Sequence, residues 1–146
     1  MRSLLALVIP VAMLLAASPA HAASSVTLEL HLGDASVPAY ATCAVSVTTP
    51  TDGAAVLNAA VASGCLKGWS YESFPGLGRY VTCIDDGHAN LCQDPAGGLA
   101  TAWLYDINGV QANGGVDDGR DAPVGAGDVV QFVYTNWIPS CGVACL

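Results

Sequence analysis

The chain has 146 residues, with 12 acidic and 4 basic side chains for a net charge of −8, and 11 % of its residues are charged against a usual share of about 25 %. So few Lys and Arg leave no basic footprint for phosphate, which excludes nucleic acid as a partner. A hydrophobic share of 53 % excludes an acidic disordered tail, because it is ample for a core.

Residues 1–22 read as a secretory signal peptide. Arg2 supplies the positive end, Leu4 to Ala17 the apolar stretch, and Ala20-His21-Ala22 a small-x-small cleavage site after Pro19. The apolar run is too short for a membrane helix and contains Pro10, and no Cys stands at the cleavage site to carry a lipid. Cleavage after Ala22 predicts a secreted, extracellular protein without a membrane anchor, folded as a single domain over residues 23–146. Removal of Arg2 leaves Lys67, Arg79 and Arg120 against twelve acidic side chains, a balance that disfavours anionic partners.

Six cysteines, Cys43, Cys65, Cys83, Cys92, Cys141 and Cys145, remain in that domain. An even number in an exported chain predicts three disulfides, and the irregular gaps lack the paired Cys-x-x-Cys of a zinc site. The expected pairing joins Cys83 to Cys92 across a loop, with the other four tying the ends of the domain to its body.

In chain order, Val26, Leu28, Leu30 and Leu32 alternate with Thr27, Glu29 and His31, the period-2 pattern of a strand with one buried face. Cys43, Val45 and Val47 repeat it after a loop from Gly33 to Pro38. Pro50 ends that strand, Thr51 or Asp52 caps a helix, and Val56, Leu57, Ala60 and Val61 recur at helical spacing until Gly64 stops it. Strands are predicted over Trp69 to Glu72, Arg79 to Ile84, Thr101 to Ile107 and Val129 to Tyr134. Asn108-Gly109 is a type I′ hairpin signal, since both turn positions need positive φ, with a return strand from Val110 to Ala112. Gly114 to Gly127 reads as a long loop inside the last sheet, of a length more often functional or mobile than incidental. Two strands, one helix, then several strands predict an α+β fold: an antiparallel or mixed sheet with the helix on one face.

From Thr51 to Thr135 these residues carry a resemblance. The helix TDGAAVLNAAVAS, the strand GRYVTCIDD, the hairpin TAWLYDINGV and the closing strand GAGDVVQFVYT resemble, in that order, the small C-terminal domain of the transcobalamin and intrinsic-factor vitamin B12 carriers. That domain also stands alone in many exported microbial proteins. The resemblance implies a ubiquitin-like β-grasp fold and a cobalamin-type corrinoid as bound ligand. In the carriers the domain closes over the corrin against a large helical barrel, for which residues 23–146 have no room. The chain also departs from the family in having Ala102 before Trp103, where the family has Gly, in its longer Asp85 to Ala100 segment, and in its six cysteines.

Trp103, Tyr105, Asn108 and Gly109 form the candidate ligand surface. Alternation puts Trp103, Tyr105 and Ile107 on one face and Leu104 and Asp106 on the other. Packing under the helix is the competing reading of the two aromatics, and turn chemistry that of Asn108-Gly109 and of Gly127-Asp128. Asp117, Asp118 and Asp121 lie within five residues but lack the alternating spacing and distal Glu of a calcium loop. A solvated acidic loop with Arg120 as counter-ion is expected, and no metal site. Asp85-Asp86-Gly87-His88 reads as a stapled surface loop. No nucleophile elbow, His-Glu-x-x-His or phosphate loop is present, so no catalytic activity and no cofactor are expected. The chain reads as a secreted, non-enzymatic binding module, with a corrinoid ligand as the family-implied specialisation. An extracellular protein or cell-surface partner with no small ligand is the alternative.

Overall fold

The computed structural model describes residues 23–94 and 100–137. The expected signal segment 1–22 and the cysteines Cys141 and Cys145 lie outside them. In chain order the elements are β1 (Ala23–Leu32), β2 (Ala41–Thr48), α1 (Gly53–Ala62), β3 (Gly68–Phe74), β4 (Gly78–Asp85), β5 (Asn90–Cys92), β6 (Ala100–Ile107), β7 (Val110–Gln111) and β8 (Val129–Trp137). This is an α+β arrangement, with one helix among the described residues.

The period-2 patterns fold as strands because each has a face to bury. Val26, Leu28 and Leu30 of β1, Cys43, Val45 and Val47 of β2, and Val130 and Phe132 of β8 are buried together. They belong to a five-stranded sheet in the order β2-β1-β8-β6-β7. Its two central strands, β1 and β8, run parallel, and the β1–β2, β8–β6 and β6–β7 pairs run antiparallel. Asn108 and Gly109 have φ of 52° and 76°, the two positive values that a type I′ turn requires.

Helix α1 starts where Asp52 accepts a hydrogen bond from the Ala55 amide at 2.7 Å, one of the donors a helix leaves unpaired at its start. It ends at Gly64, whose φ of 79° lets Cys65 and Leu66 turn back to bond the Ala60 carbonyl. Val56, Leu57 and Ala60 are buried against β1 and β2.

The structure corrects the expectation of one sheet. Strands β3, β4 and β5 form a separate three-stranded sheet. β4 pairs with β3 on one edge and, at Cys83–Asp85, with β5 on the other, while Gln93 N and Val116 N of the loops take its Thr82 and Arg79 carbonyls. On the edge of β6 away from β8, β7 pairs with Asp106 and Ile107. The two sheets meet at Trp103, whose indole N–H donates to the Leu91 carbonyl at 2.9 Å, and at Tyr134, whose hydroxyl donates to the Cys92 carbonyl at 2.6 Å. Val81 and Ile84 of β4 complete the same core.

Cys83 and Cys92 are cross-strand partners and form the expected disulfide. The second bridge differs from the expectation. Cys43 pairs with Cys65, joining β2 to the segment after α1 within the body of the domain rather than tying down an end. No cysteine is free among the described residues.

Candidate functional site

The loop from Gly114 to Gly127, expected to be functional or mobile and to be solvated at its aspartates, is docked on the body of the domain through residues 115–124. Gly115 N donates to the Leu77 carbonyl and Val116 N to the Arg79 carbonyl, both at 2.8 Å, while Gly53 N donates to the Val116 carbonyl at 2.9 Å. Thr51 and Val124 exchange backbone hydrogen bonds at 2.8 and 3.0 Å. The loop therefore bridges β4 and the start of α1, and buries Val116 and Val124. Gly115 permits the close approach: a Cβ there would stand 2.5 Å from the Arg79 carbonyl oxygen.

Side chains fix the same contact. Arg79 donates to Asp117 twice, from its amide and from Nε, each at 2.7 Å. Its guanidinium also lies over Tyr71, 5.0 Å from the ring centroid, and over Trp69, at 5.7 Å. Arg120 does pair with Asp118, Nε to Oδ2 at 2.6 Å, as the sequence suggested. The Asp118 side chain is only 3 % exposed, however, while Gly119, Arg120, Ala122 and Pro123 are exposed, so the acidic loop is solvated only in part. Arg79, 38 residues away, is the counter-ion that local sequence gave no sign of.

Burial alone would raise the Asp117 carboxyl. The Arg79 amide, its guanidinium hydrogen bond and its charge outweigh burial and hold the group below the ordinary carboxylate value. A carboxylate depressed on folding stabilises the native state above its unfolded pKa, and that contribution is lost as pH falls through the folded value. The stability difference between the parent protein and Asp117→Asn is accordingly full at neutral pH and shrinks in acid below about pH 4. Urea denaturation at stepped pH measures it, and a difference that does not vary with pH would show that the pair contributes nothing.

Two hollows flank Tyr105. The smaller, about 180 Å³, is bounded by Arg79, Tyr80, Trp103, Gln111 and Asn113. The other, about 280 Å³, is bounded by Thr51, Asp52, Asp117, Asp118 and Asp121. The Tyr105 ring stacks on Phe132 with centroids 5.2 Å apart. Its hydroxyl end presses on the first residue of α1, where a Cβ at Gly53 would come within 2.9 Å of the oxygen. Burial, with the nearby charges of Asp121 and Asp52, pushes the phenol well above its ordinary value. Asp121 Oδ1 accepts from the amide and side chain of Asn113 at 2.9 and 3.2 Å. Its Oδ2 is buried with no hydrogen-bond partner.

The four residues expected to share a ligand surface are thus not brought together. Trp103 and Tyr105 lie in the core, 7 % and 9 % exposed, with the Trp103 N–H spent on Leu91. Asn108 and Gly109 sit at the exposed turn. There the Asn108 amide donates to Asp128 at 2.9 Å and its oxygen accepts from Val129 N at 2.9 Å. Of these four, Tyr105 borders both hollows and Trp103 the smaller one. The Asp85 to His88 segment is turn chemistry: Asp86 Oδ1 accepts from the His88 and Ala89 amides, both at 2.8 Å. Among the described residues no three His, Cys, Asp or Glu side chains converge as a metal site.

His31 is a polar group that alternation places outward with Glu29, yet it is 2 % exposed. Its Nδ1 donates to the Val37 carbonyl at 2.8 Å, and its Nε2 lies 3.2 Å from Glu29 Oε2 and 3.3 Å from the Gln131 amide nitrogen. The loop that returns to β2 carries that carbonyl, and no periodicity of β1 encodes its path.

No family model matches the chain, and no curated protein does. Fourteen chains of solved structures are similar. One is a crystal structure of a protein from Ruminococcus gnavus ATCC 29149, called a candidate metal-binding protein; it is 17 % identical with a TM-score of 0.50, over 79 % of this chain and 99 % of that one. At that identity the likeness is one of fold alone.

Proposed function

We propose that the protein is an exported, non-enzymatic binding module, and that the hollow beside Tyr105 takes a small cationic group. The carrying observation is Asp121 Oδ2, a buried carboxylate oxygen with no partner. Such an atom is costly unless a donor reaches it. Asp52, Asp117 and Asp118 on the same wall make the preferred donor positive. Because no three metal-ligating side chains converge among the described residues, an ammonium or guanidinium suits the site better than a bare ion, although the name of the Ruminococcus gnavus protein points to metals.

The β-grasp reading of the fold belongs to this proposal. The order β2-β1-β8-β6-β7 with a parallel central pair and a helix on one face supports it. Two disulfides, and no helix among the described residues long and apolar enough to cross a membrane, are compatible with an extracellular protein. A corrinoid fits less well as a ligand of this chain alone, since both hollows are smaller than the roughly 300 to 1,000 Å³ of pockets that bury drug-sized molecules. It would need a wall supplied by a partner.

Calorimetric titration of the oxidised protein with agmatine, calcium chloride and cobalamin separates these readings. The expected result is saturable binding of agmatine, weakened about tenfold or more by Asp121→Asn with the circular dichroism spectrum unchanged. Saturation by calcium alone, or by cobalamin with no effect of Asp121→Asn, would overturn the cationic-group reading.

A further inference from the structure

Strand β3 is an outer strand of the three-stranded sheet, and among the described residues it pairs only with β4. Its far edge therefore presents backbone N–H and C=O groups without strand partners among the described residues, which is a template for an added strand. Natural edges are guarded by Lys, Pro, short length or bulges. Residues 68–74 contain neither Lys nor Pro and span seven positions. The single irregularity, between Ser70 and Tyr71, places the extra residue, Thr82, on β4 and leaves β3 regular.

The side chains around that edge are open as well. Residues 70–77 are all exposed, with Tyr71 at 47 %, Phe74 at 44 % and Leu77 at 39 %. Cross-strand pairing puts Tyr71 on one face, with Val81, and Glu72 on the other, with Tyr80; Phe74 packs edge-on against Tyr80. The one cation of this hairpin, Arg79, is engaged by Asp117. Glu72 has no ion-pair partner among the described residues, and the chain carries a net −8. The complementary partner strand is apolar and basic.

We propose that the β3 edge binds an extended, basic segment of a partner protein by strand addition, with an apolar side chain of that segment on the Tyr71 face and a Lys or Arg on the opposite face, against Glu72. This goes beyond the hollow beside Tyr105 and does not depend on Asp121. A second copy of the chain is the disfavoured occupant, since it brings another Glu72 and another net −8 against the first.

The probe is a short capped peptide of alternating Val and Lys, added to the oxidised protein and followed by fluorescence anisotropy and by amide hydrogen exchange. The expected result is saturable binding with slowed exchange confined to residues 68–74, weakened about fivefold by Glu72→Lys and unchanged by Asp121→Asn. An alternating Gly-Lys peptide of equal charge separates strand pairing from plain charge attraction. Equal binding of that peptide, protection outside residues 68–74, no binding at all, or protection of β3 by self-association without peptide would each overturn the proposal.

Discussion

Phe132→Ala lowers the unfolding free energy by about 3 to 5 kcal/mol, the range for an aromatic removed from a packed core. Phe132 is fully buried in β8, faces Leu30 on one side and Tyr105 on the other, and carries the Tyr105 ring on its own. Its removal takes away apolar burial and leaves a void between two central strands that cannot close without moving the sheet. Val110→Ala is the control: Val110 is 71 % exposed, and the change should stay within about 0.5 kcal/mol. Urea denaturation of both variants measures the difference. A loss under about 1 kcal/mol for Phe132→Ala would mean that the sheet centre is loosely packed.

The second large effect is expected from Cys43→Ala combined with Cys65→Ala. The bridge closes a chain segment with a sequence separation of 22, and the loop-entropy relation gives about 3 kcal/mol for that length. For a domain of this size the melting temperature should fall by roughly 10 °C. The enclosed segment contains all of α1, so the helix and β2 are held together even in the unfolded chain. The Cys83–Cys92 bridge spans a separation of only 9, and its removal should cost somewhat less. A calorimetric scan in which the two losses stand in the opposite order would show that strain or residual structure, rather than chain entropy, sets their contributions.

What could be read from the sequence was whatever is periodic or local. The alternation in β1, β2 and β6, the Asp52 cap, the Gly64 stop and the positive-φ pair Asn108-Gly109 are each decided by neighbours a few residues apart. The Cys83–Cys92 bridge followed from the same nearness. The division into two sheets did not, because it depends on β4 finding β3 and β5 rather than β6 as neighbours, and a strand's sequence does not say which strands it will find. The docked loop was missed for a related reason: Asp117 meets Arg79 across 38 positions, and Gly115 matters only through the backbone it approaches. At the candidate site, Trp103 and Tyr105 were rightly placed on one face of their strand. That face turned out to be the interior, and the exposed aromatics Tyr71 and Phe74 lie on a strand whose pattern gave no buried side.

The parallel pairing of β1 with β8 also sets when the domain can exist. Thr27 to Leu32 pair with Val129 to Tyr134, contacts about a hundred residues apart in the chain, so the centre of the five-stranded sheet is closed by the last strand to be made. Until then β1 has only β2 beside it, and β6 has only the two residues of β7. High contact order of this kind slows folding, and a chain synthesised from its N-terminus cannot complete its core before residue 137 is free. The five-stranded sheet therefore gains its parallel pair only after β8 has been made.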